Sequence, residues 1–307
     1  FGLPAAALYN FGNAVFSAAG DTRKPLYILV AAGILNVVLN LFFVIVCHLA
    51  EAGVALASAI SQWLSAGLVL FFLHRVHDSY GLNLRDVHFH ASKVRLILPL
   101  GLSAAAQNAI FATANLFIQS GVNTFDAVIV EGTAAAANAD SLVYDVMAAI
   151  YTACSSFMSQ NYGAGKRKRV LHSYLVAMGY SLGIGLIFGI SLALFGRGFL
   201  RIFATDADVI EAGLVRLQLM GFCYGFSAFM DCTIAASRGL GKSIIPTIIV
   251  ILGSCVFRVA WVYTIFAYFN TIMSLYLVYI FSWTLTAIAE IIYFIHIYRG
   301  IAKRLGA

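Results

Sequence analysis

Long apolar stretches separated by short polar turns make up almost the whole chain. A helix needs about 20 mostly apolar residues to cross a bilayer. Eight stretches meet that length, and a shorter one, from Phe1 to about Ala19, precedes them. The eight stretches are 25–47, 53–73, 94–122, 127–160, 170–194, 209–236, 244–269 and 272–298. The pattern therefore predicts an all-α integral membrane protein with about eight full transmembrane helices and a partial first one.

The composition supports the same prediction. Of the 307 residues 62% are hydrophobic and 10% are charged, against roughly 45–50% and about 25% in soluble domains. The net charge of +6 comes from short basic clusters between apolar stretches, so nucleic acid is not an expected partner. The five cysteines lie in apolar surroundings without the paired spacing of metal sites. We expect them to be small buried side chains, and we expect no cofactor and no structural metal.

The basic residues also orient the chain. Lys and Arg concentrate in alternate loops, whereas the one other loop with Arg also carries three acidic residues. By the positive-inside rule the basic loops are cytoplasmic, and the C-terminus with them. The basic loops hold Arg23 and Lys24; Arg75, Arg85, Lys93 and Arg95; Lys166, Arg167, Lys168 and Arg169; Arg238 and Lys242; and Arg299, Lys303 and Arg304.

A weak internal repeat appears when the chain is shifted by 221 residues. Gly20 then falls on Gly241 and Pro25 on Pro246, so that "GDTRKP" meets "GKSIIP" without gaps. Both copies place this turn in the cytoplasm, so the repeat is parallel, as in some duplicated transporters. Residues 93–221 have no counterpart before Phe1. We therefore expect a natural protein of twelve helices whose first helices are absent here, with a natively uneven layout as the alternative.

Five segments together resemble the multidrug and toxin extrusion (MATE) family, in the order of its helices and over essentially the whole chain. They are "GLPAAALYNFGNAVFSAAGDTRKPLYILVAAGILNVVLNLFFVI", "AEAGVALASAISQW", "LPLGLSAAAQNAIFATANLFIQSGVN", "FMSQNYGAGKRKRV" and "ASRGLGKSIIPTIIVILGSCVFRVAWVY".

The resemblance implies two six-helix lobes around a central cavity and the export of organic cations in exchange for H⁺ or Na⁺. It makes 1–83 the remnant of the N-lobe (the end of helix 4, then helices 5 and 6), 84–92 a cytoplasmic linker and 93–307 the C-lobe (helices 7–12). The expected protein is a monomeric, multi-pass antiporter of the cell membrane, with organic cations, a coupling cation and lipid as its partners. The chain by itself is expected to be inactive in transport.

Charged side chains inside the spans are the first candidates for function, because each costs roughly 2.5–3.5 kcal/mol to insert. Asp231 is the best of them, since it could take a proton, bind Na⁺ or pair with a cationic drug. The alternative is a structural ion pair with Arg216 or Arg258. For Arg258 itself, pairing with a carboxylate or with helix-end carbonyls is favoured over substrate contact.

The fifth long stretch offers a second acidic candidate. Glu131, Asn138 and Asp145 are spaced by seven residues and so share a helix face, whereas Asp140 falls on a different face. Glu131 is expected near the outer surface and Asp145 deeper in the membrane. We therefore rank Asp145 first on this helix.

Side-chain amides complete the candidates. Asn36 and Asn40 lie one turn apart where related sequences often carry N-x-x-x-D, and the alternative role is an inter-helix hydrogen bond worth well under about 2 kcal/mol. Asn108 and Asn115 follow one stripe of the next lobe, with Gln107 beside it. No acid occurs between residues 94 and 122, which argues against a Na⁺ site built on a glutamate there.

Two other classes of function fit less well. A lipid-linked oligosaccharide flippase of the same superfamily would need more basic residues in the cavity than Arg216 and Arg258. The chain is not expected to be an enzyme, because it has no H-E-x-x-H, no G-x-S-x-G and no convergent Ser/His/Asp set.

Overall fold

The computed structural model describes residues 1–78, 80–83, 85 and 87–304, with side chains up to residue 301. Within these ranges the chain forms nine helices and no strand. The helices are α1 Leu3–Ala18, α2 Arg23–Val46, α3 Ala50–His74, α4 Ala91–Val122, α5 Ala127–Gly163, α6 Arg167–Leu200, α7 Ala207–Gly239, α8 Ile244–Phe269 and α9 Ile272–Arg304.

Helices α2 to α9 are each long and apolar enough to cross a membrane, which confirms the predicted all-α membrane fold. Several of them extend beyond the predicted spans. Helix α6, for example, covers Arg167–Leu200, whereas the apolar stretch covers 170–194. The apolar pattern marks only the part of a helix that lipid must surround, while the backbone hydrogen bonds continue into the polar ends.

The chain divides into two compact units, Phe1–His90 with α1 to α3 and Ala91–Ala307 with α4 to α9. The predicted divisions were 1–83, 84–92 and 93–307. Residues 79, 84, 86 and 305–307 of those divisions lie outside the described residues. The assignment of the two units to an N-lobe remnant and a C-lobe stays a prediction.

Helix α7 is the centre of the larger unit. In its most apolar stretch 72% of the residues are buried, far more than in the neighbouring spans. Glycines allow this close packing: a Cβ added at Gly189 of α6 would lie 2.0 Å from the carbonyl oxygen of Gly221. Small residues at such crossings let membrane helices approach each other closely. Because α7 is packed on several sides, the backbone that carries its polar side chains is held in place.

The backbone carries the predicted repeat at the same offset of 221 residues. Helix α1 ends in a turn in which Gly20 has φ 87° and Asp21 N–H donates to Phe16 O. Helix α7 ends in the same hydrogen-bond pattern, with Gly241 at φ 75°. This is the Schellman ending, whose left-handed position favours glycine. The two matched glycines therefore form the same turn in each unit.

Helix α8 contains two π-helical segments, Ile251–Val256 and Val262–Phe266. Between them lies a single α-helical segment, Phe257–Trp261, which carries Arg258. Each π segment adds a residue to the helical repeat and so rotates the side chains that follow it. The segment before Arg258 thereby helps to determine which way this side chain points.

Candidate substrate and ion cavity

A cavity of about 650 Å³ lies within the larger unit, between α4, α5, α7, α8 and α9. Ligand sites commonly measure about 300–1,000 Å³, so this volume suits a small organic molecule. Three aspartates, two arginines, amides and aromatic rings form its wall. The lining residues are Gln107, Asn108, Phe111, Ala112, Asn115, Ala137, Asp140, Ser141, Tyr144, Asp145, Met147, Arg216, Met220, Tyr224, Ser227, Met230, Asp231, Arg258, Tyr279 and Trp283.

Asp231 lies half-buried in the wall of this cavity, on α7. Its one described hydrogen bond comes from the hydroxyl of Ser227, one turn earlier, at 2.9 Å. Among the ion pairs of the described residues none involves Asp231. Neither Arg216 nor Arg258 therefore forms a direct ion pair with Asp231 among the described residues, although Arg238 and Arg258 are near enough to act on its charge. The carboxylate is left available to a cation in the cavity.

Arg216 pairs with Asp140 instead. Its Nη2 lies 2.6 Å and its Nε 3.2 Å from Asp140 Oδ2, and the hydroxyl of Tyr224 donates to the other carboxylate oxygen. The guanidinium also lies 5.3 Å from the ring centroid of Tyr276 and 5.6 Å from that of Tyr279. We expected Asp140 to face away from Asp145, but both line the cavity.

Arg258 is almost wholly buried, with 1% of its surface exposed. Neither a carboxylate nor a helix-end carbonyl holds it among the described residues, in contrast to our expectation. Its Nη1 donates to Asn115 Oδ1 at 3.0 Å and its Nε to Ser282 Oγ at 3.3 Å. The rings of Phe111, Tyr279 and Trp283 surround the guanidinium, with centroids 4.7, 4.8 and 5.8 Å away. Ring faces can stabilise a positive charge that has no direct ion-pair partner.

The side-chain amides of α4 differ in whether they are free to contact a ligand or are hydrogen-bonded to an arginine. Asn108 is exposed and lines the cavity without a described side-chain bond of its own, whereas Asn115 is occupied by Arg258. Gln107 is buried and accepts a hydrogen bond of 2.7 Å from Arg238 Nη2. Of the three, Asn108 is therefore the one best placed to contact a ligand directly.

Asp145 lines the same cavity and is exposed. Glu131 and Asn138, predicted to share its helix face, line a separate pocket beside the turn between α6 and α7. The seven-residue spacing places the three on one side of α5. The helix is 37 residues long, however, and this side borders the separate pocket at Glu131 and Asn138 and the central cavity at Asp145. Only Asp145 of the three reaches the central cavity.

Asn36 and Asn40 belong to the smaller unit. Asn40 Nδ2 donates to Asn36 Oδ1, and Asn36 Nδ2 donates to Ser61 Oγ, both at 3.0 Å. The alternative role that we gave these residues, a hydrogen bond between helices, is therefore present between α2 and α3. Asn40 Oδ1 is buried and has no partner among the described residues.

Three further features were missed at the level of sequence. They are the pairing of Asp140 with Arg216, the position of Arg238 inside the bundle, and the complete burial of Glu290. Arg238 counted as a loop residue because it follows the apolar stretch, yet it lies seven residues after Asp231 and hence on the same face of α7. Over the described residues, no group of three His, Cys, Asp or Glu is placed to hold a metal ion.

Comparison with known sequence families places the chain. The sequence model of the family named MatE matches residues 99–264, more than half of the chain. The chain belongs to the MATE family. A second family model, "Lipid II flippase MurJ", matches residues 1–130, a smaller part.

Several relatives are identical to the chain at about a quarter of the aligned positions. It is 28% identical over 218 residues to "Probable multidrug resistance protein YpnP" of Bacillus subtilis, covering 71% of the chain and 48% of the relative. It is 25% identical to a probable multidrug resistance protein NorM of Thermotoga maritima (84% and 57% covered) and 28% identical to an "FAD transporter" of Shewanella oneidensis (73% and 50%). The chain thus spans about half the length of these relatives.

Solved structures agree on the fold. An outward-facing multidrug resistance MATE transporter superimposes with a TM-score of 0.88 at 21% identity, covering 96% of this chain and 66% of that one. A transporter of the same superfamily from Pyrococcus furiosus, described as having a binding pocket of reverse polarity, also gives 0.88, at 20% identity and with 96% and 66% covered. The MATE-like fold predicted from the sequence is confirmed.

Proposed function

We propose that this protein is part of a secondary active antiporter that exports organic cations in exchange for H⁺ or Na⁺. Asp231 is the residue proposed to exchange the coupling cation for the drug. Membership of the MATE family and the names of the multidrug resistance relatives support the class of function. The cavity supports the class of substrate.

The observation that carries the proposal is the unpaired carboxylate of Asp231. Arg216 is paired with Asp140, and Arg258 bonds to the neutral side chains of Asn115 and Ser282. Because three aspartates line the cavity against two arginines, the cavity offers a ligand an excess of negative charge, together with ring faces. Organic cations are attracted by both features.

The mechanism proposed is competition within one site. A proton or Na⁺ on Asp231 removes the negative charge that holds an organic cation, so the drug loses affinity and leaves. Loss of the coupling cation restores the charge and allows the next drug to bind. Because both ligands need the same carboxylate, they occupy the site in turn and not together.

A flippase for lipid-linked oligosaccharides is the second candidate, favoured by the match of residues 1–130 to the MurJ model. Such a substrate carries phosphates, which require free cationic groups. Arg216 is 7% exposed and Arg258 is 1% exposed, and both have partners. The cavity therefore favours the export of cations over the flipping of an anionic lipid.

The proposal extends to the setting of the protein. Chains with eight membrane-spanning helices and this family membership are multi-pass membrane proteins. We assign it to the cell membrane with the basic loops and the C-terminus in the cytoplasm, because alternate loops carry nearly all Lys and Arg.

The test is Asp231→Asn in the protein expressed from its complete native gene. Asparagine keeps the shape and can still accept the bond from Ser227, but it carries no charge. Losing a charge-assisted contact of about 1.5–3 kcal/mol should reduce efflux of a fluorescent organic cation by roughly tenfold or more.

Asp208→Asn is the matched control, because Asp208 is exposed at the start of α7, away from the cavity. It should leave efflux unchanged at equal expression. Unaltered efflux in Asp231→Asn would refute the role of Asp231, and transport of a lipid-linked oligosaccharide by the parent protein would favour the second candidate.

A further inference from the structure

Glu290 lies on α9 with its side chain completely buried. Neither carboxylate oxygen has a hydrogen-bond partner among the described residues. The polar side chain one turn earlier on the same helix is satisfied: Thr286 bonds to Ser254 Oγ at 2.9 Å and to Ser282 O at 2.7 Å. An ionised carboxylate left alone in an apolar interior is very costly, and such groups become neutral instead. Burial without a hydrogen-bond partner therefore favours the neutral form of Glu290.

The charged and titratable groups that act on Glu290 are few. They are Arg238 and Asp231 of α7 and Tyr293 of its own helix. Arg238 is the one cation among them, but it forms no ion pair with Glu290 among the described residues. It donates from Nη2 to the neutral amide oxygen of Gln107, at 2.7 Å. Its Nε is buried and has no partner in the described part of the chain.

Gln107 is the residue through which α4 is hydrogen-bonded to α7. The residues of α4 before it, from Ala91 to Ala106, are exposed or partly exposed, and Gln107 is the first buried one. Its amide oxygen also accepts a long hydrogen bond of 3.5 Å from Thr247 of α8. The bond from Arg238 thus fastens the middle of α4 to the end of α7.

We propose that Glu290 is a proton-binding site, separate from Asp231, and that its proton decides which partner Arg238 takes. With the proton on Glu290, Arg238 bonds to Gln107, as seen here. When the proton leaves to water, the new carboxylate attracts the guanidinium and accepts from the unused Nε. The guanidinium moves toward the carboxylate to make this bond, and this movement draws Nη2 away from Gln107, so that α4 loses its attachment to α7. The inference depends on the surroundings of Glu290 and holds whether or not Asp231 couples export.

Infrared difference spectroscopy on the protein from the complete native gene, without substrate, tests the site. A rise in pH should remove the carbonyl band of a protonated carboxylic acid. Glu290→Gln should remove the component of this band change that comes from Glu290, and Asp231→Asn should retain that component. Arg238→Gln removes the cation that stabilises the ionised form, so the band should persist to higher pH. A full band change in Glu290→Gln would overturn the proposal.

The attachment of α4 is tested with spin labels at Leu102→Cys and Lys242→Cys, both at exposed positions, after replacing the exposed Cys47 by serine. The distance between the labels should change with pH in the parent protein and stay constant in Glu290→Gln. A distance that does not respond to pH in the parent overturns the attachment mechanism. Should Glu290→Gln fail to fold, an unshifted band in Arg238→Gln overturns the proposal on its own.

Discussion

Replacing Asp140 by asparagine would leave the guanidinium of Arg216 buried without its counter-charge. The two side chains are 19% and 8% exposed, so water can replace little of what is lost. The asparagine side chain keeps the shape of the aspartate and retains an oxygen for Tyr224 or Arg216. The substitution therefore removes charge from a buried pair while changing its volume very little.

The expected size follows from that burial. Breaking a buried ion pair by removing one partner costs about 3–5 kcal/mol, because the remaining charge is uncompensated. The remaining amide oxygen and the two tyrosine rings beside Arg216 favour the lower end, about 3 kcal/mol. Replacing both partners, as in Asp140→Asn with Arg216→Met, should recover most of the loss, since no charge is then left buried.

The assay is the midpoint of thermal unfolding in detergent, measured by circular dichroism. At about 2–4 °C per kcal/mol, a loss of about 3 kcal/mol lowers the midpoint by roughly 6–12 °C. Arg197 and Glu211 form the matched control pair, because both are more than half exposed. Glu211→Gln should cost less than about 1 kcal/mol. Equal effects of Asp140→Asn and Glu211→Gln would refute the assignment of Asp140–Arg216 as a buried pair.

Two further predictions concern the packing and the orientation of the larger unit. Gly189→Ala should lower the unfolding midpoint, because its methyl group would lie 2.0 Å from Gly221 O. Gly183→Ala is the control and should not lower it, because a Cβ added there meets nothing within 4 Å. Equal midpoints would contradict the close contact of α6 with α7. The proposed topology places the loop of Lys168 in the cytoplasm and that of Arg201 outside. In a background without the exposed native cysteine, a membrane-impermeant thiol reagent added to intact cells should therefore label Arg201→Cys and not Lys168→Cys. The reverse result would refute this topology.

The sequence was a good guide wherever a feature depends on local pattern. Apolar length predicted the spans, because lipid imposes one requirement on every crossing helix. The shift of 221 residues found the turns at Gly20 and Gly241, because a left-handed position favours glycine and so leaves a trace in the sequence. Asp231 of the cavity was found because a charge inside a span is rare.

Pairing between helices left no such trace. Asp140 and Arg216 are 76 residues apart, and nothing in either helix indicates which way the other one faces. Arg238 was assigned to a loop, because hydropathy cannot distinguish a charged side chain outside the membrane from one that is hydrogen-bonded to a buried amide, as Arg238 is to Gln107. Glu290 was visible as a charge in a span, but its isolation depends on neighbours from other helices.

The repeat also shows how the larger unit came to hold a buried charge. Ser61 and Ser282 match at the offset of 221, and each accepts a side-chain bond from the preceding long helix. The donor in the smaller unit is Asn36. At the offset of 221 its counterpart is Phe257, but the donor in the larger unit is the next residue, Arg258. The π segment Ile251–Val256 precedes Arg258, and no π segment precedes Asn36 in the described part of α2. An added residue advances the helix by one position. The π segment therefore brings Arg258 to the serine, where Asn115 and three aromatic rings hold its guanidinium.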